Sequence, residues 1–382
     1  MSEIFRYLLS RQEAMIQSLE DLVSLESPSD ERVAVNAVVD YLARAFEPLG
    51  AKVERLPQTV FGDHLRVTWG QGDRQILLLG HTDTVWPMGE LEERPFQISE
   101  DTKTGLLKGT GPGIFDMKGG LVIGLYAVLA LRELGLAPTH RLVFLFNSDE
   151  ECGSPTSRSF IEEEGKRSDN VLVLEPSREG ALVTWRKGVG RFDLEIQGLA
   201  SHAGAAHDRG VSAVEELARQ ILRLESMTDY ERGTTVNVGM VQGGSKVNVR
   251  PASAWAEIDL RVTSAQEGQR MAEAIRRIRP VNPDASLIVS GRMNRPPWET
   301  SPACQGLFQR ARRVGETMGL DLWPAGTGGA SDGNFTAALG IPTLDGLGVI
   351  GEDAHAVSEW VDLASLPRRA ALLTELVMDL GR

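Results

Sequence analysis

The stretch FLFNSDEECGS (Phe144–Ser154) decides how the rest of the chain is interpreted. Its apolar part is typical of a strand that is buried on both faces of a parallel sheet. The strand ends in Asp149, Glu150 and Glu151, whose adjacent carboxylates repel one another. Such a run is explained either as a solvated surface or helix start, or as a set of ligands that face a cation.

Two other runs, QILLLG (Gln75–Gly80) and NVLVLEP (Asn170–Pro176), are also apolar almost throughout. Between the first run and the opening stretch, the apolar segment Lys118–Gly135 has the length and composition of a packed helix that ends at a glycine. This alternation of strands and helices predicts an α/β fold, with a mostly parallel sheet and helices on both faces.

The pattern changes near residue 188, where alternating strands and amphipathic helices follow in the order β-α-β-β-α-β of a ferredoxin-like unit. The first of these helices is predicted to bury Val214, Leu217, Ile221 and Leu224 on one face. Patterns of the first kind return after residue 298. We therefore predict one domain formed by residues 1–187 and 299–382, and an inserted α+β domain at 188–298.

The composition limits the class of protein. The chain has 382 residues, a net charge of −13 and two cysteines. The length suits two domains, the acidic balance argues against a nucleic-acid partner, and two cysteines predict no disulfide framework. The N-terminal segment is typical of an amphipathic helix rather than an export signal, and no apolar run approaches the length of a membrane span. We therefore expect a cytoplasmic protein with no membrane partner.

Metal-type ligands follow each of the three apolar runs. His81 and Asp83 follow the first run, Glu150 and Glu151 follow the second, and Glu175 follows the third. In open α/β sheets, ligands bind beyond the carboxyl ends of the strands. We therefore expect these side chains to lie close together.

Two further candidates are Asp116, just before the long helix, and His355, far downstream. Histidine and carboxylate ligands without cysteine suit zinc in a catalytic site. One shared carboxylate would hold two ions about 3.5–4 Å apart, as in hydrolytic sites with two metals.

Each motif is weak by itself. The pair His81 and Asp83 also fits an exposed loop, and Glu175 followed by proline also fits the end of a strand. The segment GTGPG (Gly109–Gly113) suggests a phosphate loop and a nucleotide-dependent enzyme, but it matches neither the P-loop nor the dinucleotide fingerprint. The joint occurrence of acids at three strand ends and two histidines favours the metal site.

The motifs HTDTVWP, GPGIFDMKGG, SDEECGS, LEPS, SHAG and DAHAVSEWVD occur in this order. Together they resemble the dinuclear zinc family of aminoacylases and carboxypeptidases, which includes acetylornithine deacetylase and succinyl-diaminopimelate desuccinylase. The resemblance covers nearly the whole chain and is nearest the branch of the bacterial folate-cleaving glutamate carboxypeptidase. It implies that 1–187 and 299–382 form the metal-binding catalytic domain, and that 188–298 form a lid and dimerisation domain.

The resemblance implies two Zn²⁺ per subunit, although Co²⁺ or Mn²⁺ could occupy the same ligands. His81 and Glu175 would bind one ion, Glu151 and His355 would bind the other, and Asp116 would bridge them. The peptide bond from Asp116 to the next residue would be cis.

Three catalytic roles also follow from the resemblance. Asp83 would orient the imidazole of His81, and Glu150 would be the general base for the water between the ions. His202 would reach the active site of the partner subunit and stabilise the developing oxyanion. This last role implies a homodimer.

The substrate-binding residues implied by the resemblance are Arg261 and Asn248 for the substrate carboxylate, with Arg295, Gly328 and Gly329 as further candidates. An arginine binds a carboxylate through two parallel hydrogen bonds. The alternative for Arg261 is a cross-strand ion pair with Asp259 or Glu257, and the alternative for the two glycines is a simple turn.

We therefore expect zinc-dependent hydrolysis of an amide or peptide bond next to a free carboxylate, in a small molecule or short peptide. The product would be a C-terminal amino acid such as glutamate. An N-acyl-amino-acid deacylase with the same dinuclear site is the alternative, and a noncatalytic metal-binding dimer is a more distant one.

Overall fold

The computed structural model describes residues 2–102 and 104–381. It contains two compact units, a larger unit (Met1–Thr184, Thr300–Gly326 and Ser331–Arg382) and a smaller unit (Trp185–Glu299 and Thr327–Ala330). Within the described residues the helices are α1 (Glu3–Leu9), α2 (Gln12–Val23), α3 (Arg32–Phe46), α4 (Glu90–Glu93), α5 (Gly119–Glu133), α6 (Arg158–Lys166), α7 (Ala213–Glu225), α8 (Ala265–Arg276), α9 (Pro302–Thr317), α10 (Gly333–Ala338) and α11 (Ser365–Leu380). The strands are β1 (Lys52–Leu56), β2 (His64–Trp69), β3 (Gln75–His81), β4 (Gln97–Glu100), β5 (Leu107–Thr110), β6 (Arg141–Asn147), β7 (Asn170–Val173), β8 (Leu182–Arg186), β9 (Gly188–Gln197), β10 (Ser201–His202), β11 (Thr235–Gly243), β12 (Val249–Arg250), β13 (Ser253–Val262), β14 (Ser286–Arg295), β15 (Pro324–Thr327), β16 (Thr343–Leu344), β17 (Gly351–Glu352) and β18 (Trp360–Asp362).

The central sheet of the larger unit has the strand order β1-β2-β6-β3-β7-β16. Strands β6, β3, β7 and β16 are parallel, whereas β1 and β2 pair antiparallel with their neighbours. The sheet is therefore mixed, but four of its six strands are parallel, in agreement with the prediction of a mostly parallel sheet. The apolar runs marked the buried strands, while the edge strand β1 has no fully buried residue and gave no such signal.

Helices cover both faces of this sheet, as predicted. Successive residues of a strand point to opposite faces, and Leu77 and Leu78 of β3 accordingly belong to different apolar clusters. Leu77 packs in a cluster with Ile161 of α6 and Phe335 of α10. Leu78 packs in the larger cluster, which contains the buried residues of α5 and α11.

Helix α5 is the predicted apolar helix, and it is buried along nearly its whole length. The residue after its C-cap, Gly135, has φ 63°, the left-handed conformation that glycine adopts at helix ends. The expectation that no apolar run approaches the length of a membrane span was wrong, because the helical segment Ile114–Glu133 is long and apolar enough to cross a membrane by length and composition alone. The fold explains this apolar composition, because 89% of the most apolar window of the segment is buried inside the protein.

The smaller unit contains β9, α7, β11, β13, α8 and β14 in the predicted β-α-β-β-α-β order. Its antiparallel sheet has the order β11-β13-β9-β14, and one apolar cluster joins this sheet to α7 and α8. The predicted core face of α7 is wrong at Val214, which is 39% exposed. Glu216 and Gln220 are buried on this helix instead.

Candidate metal centre

Asp116 lies between two histidines from distant parts of the larger unit. Its Oδ1 atom is 3.0 Å from Nε2 of His81, and its Oδ2 atom is 3.2 Å from Nε2 of His355. Glu175 approaches the first histidine, with 3.6 Å between Oε1 and Nε2, and Glu151 approaches the second, with 3.3 Å between Oε2 and Nε2. The structure thus brings together all five residues that were predicted as metal ligands.

The local folding of the chain explains this convergence. His81 is the last residue of β3, and Glu151 and Glu175 follow the neighbouring parallel strands β6 and β7. His355 lies in the turn between the antiparallel strands β17 and β18, where its φ is 64°. A positive φ is uncommon for a residue other than glycine.

The N-terminal end of α5 approaches the strand ends closely. A Cβ atom at Gly120 would lie 2.1 Å from the carbonyl oxygen of Leu174, the residue before Glu175. Only glycine fits this position, which explains the second of the two glycines that follow Lys118 in the sequence.

The donor set fits divalent cations. One carboxylate oxygen, Oε1 of Glu151, is buried and has no hydrogen-bond partner in the described part of the chain. Burial, followed by the charge of Asp116, raises the pKa of Glu151 and raises that of Glu175 well above its ordinary value. Hydrogen bonds to Asp116 and Glu151 raise the pKa of His355 to about 11. Nearby cations would favour the ionised carboxylates and take the place of the histidine protons.

Asp83 contacts both the imidazole of His81 and the backbone of the acidic stretch. Its Oδ1 atom lies 3.5 Å from Nδ1 of His81, and its backbone carbonyl oxygen lies 2.9 Å from the same nitrogen. The carboxylate also accepts the backbone N–H groups of Glu150 at 3.2 Å and Glu151 at 3.1 Å, and the hydroxyl of Ser29 at 2.7 Å. Asp83 therefore orients an imidazole and also fixes the backbone of the acidic stretch.

The three adjacent acids have different surroundings, which explains how they coexist. Asp149 is fully buried and accepts hydrogen bonds from the hydroxyls of Thr156 at 2.7 Å and Ser157 at 2.6 Å. Glu151 faces His355. Glu150 is half-buried, and its charge helps to raise the pKa of Glu175. Asp149 thus stabilises the loop before α6 and takes no part in the cluster.

The segment that carries Asp116 contains one feature that the resemblance implied and one residue that the sequence analysis missed. The peptide bond between Asp116 and Met117 is cis, as the resemblance implied. The sequence analysis missed Lys118, which is buried and donates from Nζ to the carbonyl oxygen of Leu25 at 2.8 Å. Burial lowers its pKa to about 8. The sequence analysis also missed Glu359, although this acid lies within the DAHAVSEWVD motif.

In the smaller unit, His202 and Asn248 lie on paired segments. Ala203 donates its backbone N–H to the carbonyl oxygen of Asn248 at 3.0 Å, and both candidate side chains are exposed. Nδ1 of His202 accepts the backbone N–H groups of Gly204 at 3.1 Å and Ala205 at 3.0 Å. A neutral imidazole with an accepting Nδ1 carries its proton on Nε2, so this ring presents a donor there.

The remaining predicted residues also lie in the smaller unit. Arg261 donates at 2.7 Å to Oδ1 of Asp259, one of the two ion-pair partners named as its alternative, and Arg295 is buried. Gly329 accepts a hydrogen bond from Arg186 at 3.2 Å. A Cβ atom at Gly328 would meet nothing within 4 Å, so the fold of the chain itself does not require glycine there.

The sequence pattern of Peptidase family M20/M25/M40 matches residues 77–379. The chain belongs to this peptidase family. The match confirms the resemblance, and it makes this M20 peptidase a hydrolase of a metal-dependent class.

Two curated relatives represent the two activities that the sequence left open. Carboxypeptidase G2 of Pseudomonas sp. (strain RS-16) is 32% identical over 390 residues, covering 99% of this M20 peptidase and 92% of the relative. Acetylornithine deacetylase of Proteus mirabilis (strain HI4320) is 30% identical over 242 residues, covering 59% of the chain and 60% of the relative.

Solved structures share the fold. Aminopeptidase PepT from Bacillus cereus ATCC 10987 superposes with a TM-score of 0.75 at 21% identity, covering 97% of the chain and 99% of that structure. The YXEP protein of Bacillus subtilis, described as a dinuclear metal-binding peptidase of the M20 family, superposes with a TM-score of 0.69 at 16% identity, covering 97% and 98%.

Proposed function

We propose that this M20 peptidase hydrolyses an amide or peptide bond next to a free carboxylate and releases a C-terminal amino acid such as glutamate. The observation that carries the proposal is the position of Asp116, with one carboxylate oxygen facing each of His81 and His355. A single carboxylate in this position suits a pair of cations. The choice of a carboxypeptidase rests on the similarity to carboxypeptidase G2 over nearly the whole chain.

The proposed cofactors are two Zn²⁺ per subunit, with Co²⁺ or Mn²⁺ as metals that the same ligands accept. His81 and Glu175 would hold one ion, Glu151 and His355 would hold the other, and Asp116 would serve both. When bound, such ions lower the pKa of a water molecule and polarise the carbonyl group of the substrate.

Glu150 is the proposed general base. It is half-buried, next to the ligand Glu151, and close enough to affect the pKa of Glu175. Its carboxylate takes the proton of the attacking water and later delivers it to the leaving amine, which balances the protons of the hydrolysis. Asp83 keeps the imidazole of His81 in place through the contacts at Nδ1.

Residues 188–298 are the proposed lid and dimerisation domain of a cytoplasmic homodimer. His202 offers its Nε2 proton to the oxyanion in the active site of the partner subunit. Arg261 and Asn248 bind the substrate carboxylate, with support from Arg295, and binding requires Arg261 to exchange its contact with Asp259 for the substrate. The backbone amides of Gly328 and Gly329 are the remaining donors.

The second candidate function is deacylation of an N-acyl amino acid at the same site. The similarity to acetylornithine deacetylase favours it, although that match covers a smaller part of the chain. Both reactions cleave an amide bond beside a free carboxylate, and they differ in the acyl group that the site accepts.

A substrate panel separates these candidates. N-acetyl amino acids, dipeptides and folate-type N-acyl glutamates are assayed with metal-free and zinc-loaded enzyme. We expect turnover only with metal, and the highest kcat/KM on substrates that end in glutamate. A preference for N-acetyl amino acids would favour the deacylase, and equal turnover with and without metal would overturn the mechanism.

A further inference from the structure

Glu359 is a fully buried carboxylate that receives four hydrogen bonds. Its Oε1 atom accepts the backbone N–H groups of Phe115 at 2.8 Å and Asp116 at 3.0 Å. Its Oε2 atom accepts the backbone N–H of Gly113 at 3.1 Å and the indole N–H of Trp86 at 3.0 Å. One side chain thus collects the amides of the segment that carries Asp116.

The amides of Ile114 and Lys118 find acceptors nearby, at the carbonyl oxygens of Gly111 and Gly113, but those of Gly113, Phe115 and Asp116 donate to Glu359 instead. Ile114–Lys118 is a single irregular turn, and Asp116 and Met117 within it have non-helical backbone angles. Buried N–H groups that lack an acceptor destabilise the conformation that holds them. The conformation at Asp116 therefore depends on an acceptor from another part of the chain, and Glu359 provides it.

Glu359 also lies only four positions after His355 in the sequence. The intervening Val357 is fixed as well, because its carbonyl oxygen accepts Nη1 of Arg94 at 2.9 Å. The guanidinium of Arg94 lies 4.0 Å from the ring centroid of Trp86, which is itself a donor to Glu359. The His355 segment and the Asp116 segment are thus held together by one continuous set of contacts.

We propose that Glu359 is a positioning residue that holds Asp116 between His81 and His355 and thereby sets the affinity for the second cation. The inference rests on the proposed dinuclear site and assigns to that site a residue that contacts neither cation nor substrate. It explains why a buried acid is retained here, since a carboxylate accepts at both oxygens and donates at neither.

A glutamate is needed at position 359 because each of its two carboxylate oxygens accepts two hydrogen bonds. An amide at this position keeps the shape of the side chain, but in either orientation its NH₂ group faces two N–H donors. Glu359→Gln therefore loses hydrogen bonds and also places donors against donors. Glu359→Asp keeps the charge, but it is one methylene too short to reach all four donors.

The test measures metal binding directly. Metal-free wild type and the variants Glu359→Gln and Glu359→Asp are titrated with Zn²⁺ against a chromophoric chelator, and Glu352→Gln is the matched control. Glu352 lies on the same segment and its substitution removes the same charge, but its side chain makes no hydrogen bond or ion pair with the Asp116 segment among the described residues. We expect Glu359→Gln to weaken binding of the second ion by about 10- to 100-fold, Glu359→Asp to recover part of this loss, and Glu352→Gln to bind as wild type does.

Kinetics provide a second readout. At saturating Zn²⁺ we expect Glu359→Gln to lower kcat and leave KM nearly unchanged, because Glu359 contacts no substrate. If wild type binds fewer than two ions per subunit, the proposed function fails. If wild type binds two and Glu359→Gln binds two with unchanged affinity, this inference fails.

A folding defect is handled by a milder variant. Circular dichroism of the metal-free proteins shows whether Glu359→Gln is folded. If it is not, Glu359→Asp and Trp86→Phe decide, since Trp86→Phe removes only one donor from Oε2. Weaker binding of the second ion in both supports the inference, and wild-type affinity in Glu359→Asp overturns it.

Discussion

His81 and His355 contact opposite oxygens of Asp116, yet the side chain of His81 is 1% exposed and that of His355 is 50% exposed. The carboxylates beside them do not differ in this way, because Glu175 and Glu151 are 10% and 8% exposed. The access of solvent to the two halves of the cluster is therefore controlled by the histidines.

This difference predicts unequal metal release. A chelator should remove the ion held by Glu151 and His355 first, because that half is open to solvent. Rapid mixing of the Co²⁺-loaded enzyme with EDTA, followed by its visible absorption, should show two phases. His355→Ala should retain one ion per subunit by elemental analysis, and a single phase with loss of both ions together would contradict the assignment.

The neighbours Glu150 and Glu151 should respond differently to the same substitution. Glu150→Gln should keep both ions and lose turnover by about 10²- to 10⁴-fold, because it removes a proton acceptor and no ligand. Glu151→Gln should lose the ion on the His355 side. Metal content and kcat are measured on both proteins, and near-normal turnover of Glu150→Gln would remove it as the base.

Asp149 should contribute to stability and not to metal binding. Asp149→Asn should lower the free energy of unfolding by about 1–3 kcal/mol, because the hydroxyls of Thr156 and Ser157 lose a charged acceptor. Urea unfolding of the metal-free proteins measures this loss. A variant that unfolds like wild type but has lost an ion would place Asp149 in the metal site instead.

Glu216 in the smaller unit should make stability depend on pH. Burial alone would raise its pKa, but hydrogen bonds from Gln220 and from the backbone of Val281 and Asn282 outweigh burial and lower the pKa below the ordinary value of 4.5. A lowered pKa in the folded state means that the ionised group stabilises the fold above the ordinary pKa. That stabilisation is lost as the pH falls through the folded value.

The check is the difference in Tm between metal-free wild type and Glu216→Gln. It should be largest above about pH 5 and shrink as the pH falls toward 3. Glu215→Gln, at the exposed neighbouring position, is the control. A difference that is constant from pH 3 to 8 would show that the charge of Glu216 plays no part.

The proposed role of His202 across subunits predicts complementation. His202→Ala and Glu150→Gln should each be nearly inactive. If the two are unfolded and refolded together, mixed dimers contain one site without either substitution. Random assembly should then restore about a quarter of wild-type turnover. No recovery, with mixed dimers demonstrated by mass spectrometry, would place His202 in the site of its own subunit or outside both sites.

The sequence predicted the proximity of these side chains because His81, Glu151 and Glu175 follow apolar runs that mark neighbouring strands. Parallel strands end at one edge of a sheet, so order along the chain was enough to predict proximity. Asp116 lies in an irregular turn and His355 in the turn between β17 and β18, so the sequence made them only candidates, and the resemblance to a known family supplied their roles.

Other features could not be predicted because they depend on tertiary contacts. Nothing in the acidic stretch distinguishes Asp149, which accepts hydroxyls at the start of α6, from its two neighbours. Glu359 has the sequence pattern of an ordinary surface acid, and its four donors come from segments more than 200 residues away. The buried face of α7 was predicted from apolar residues alone, so the polar pair Glu216 and Gln220 was overlooked.

The buried position of α5 has a consequence for biosynthesis. Its covering helix α11 packs against it in the finished fold, but Ser365–Leu380 leaves the ribosome long after Gly119–Glu133. In the nascent chain, the face of the apolar helix α5 that α11 covers therefore stays exposed to solvent during most of translation, when aggregation competes with folding. We expect the growing polypeptide to need chaperone protection until α11 emerges.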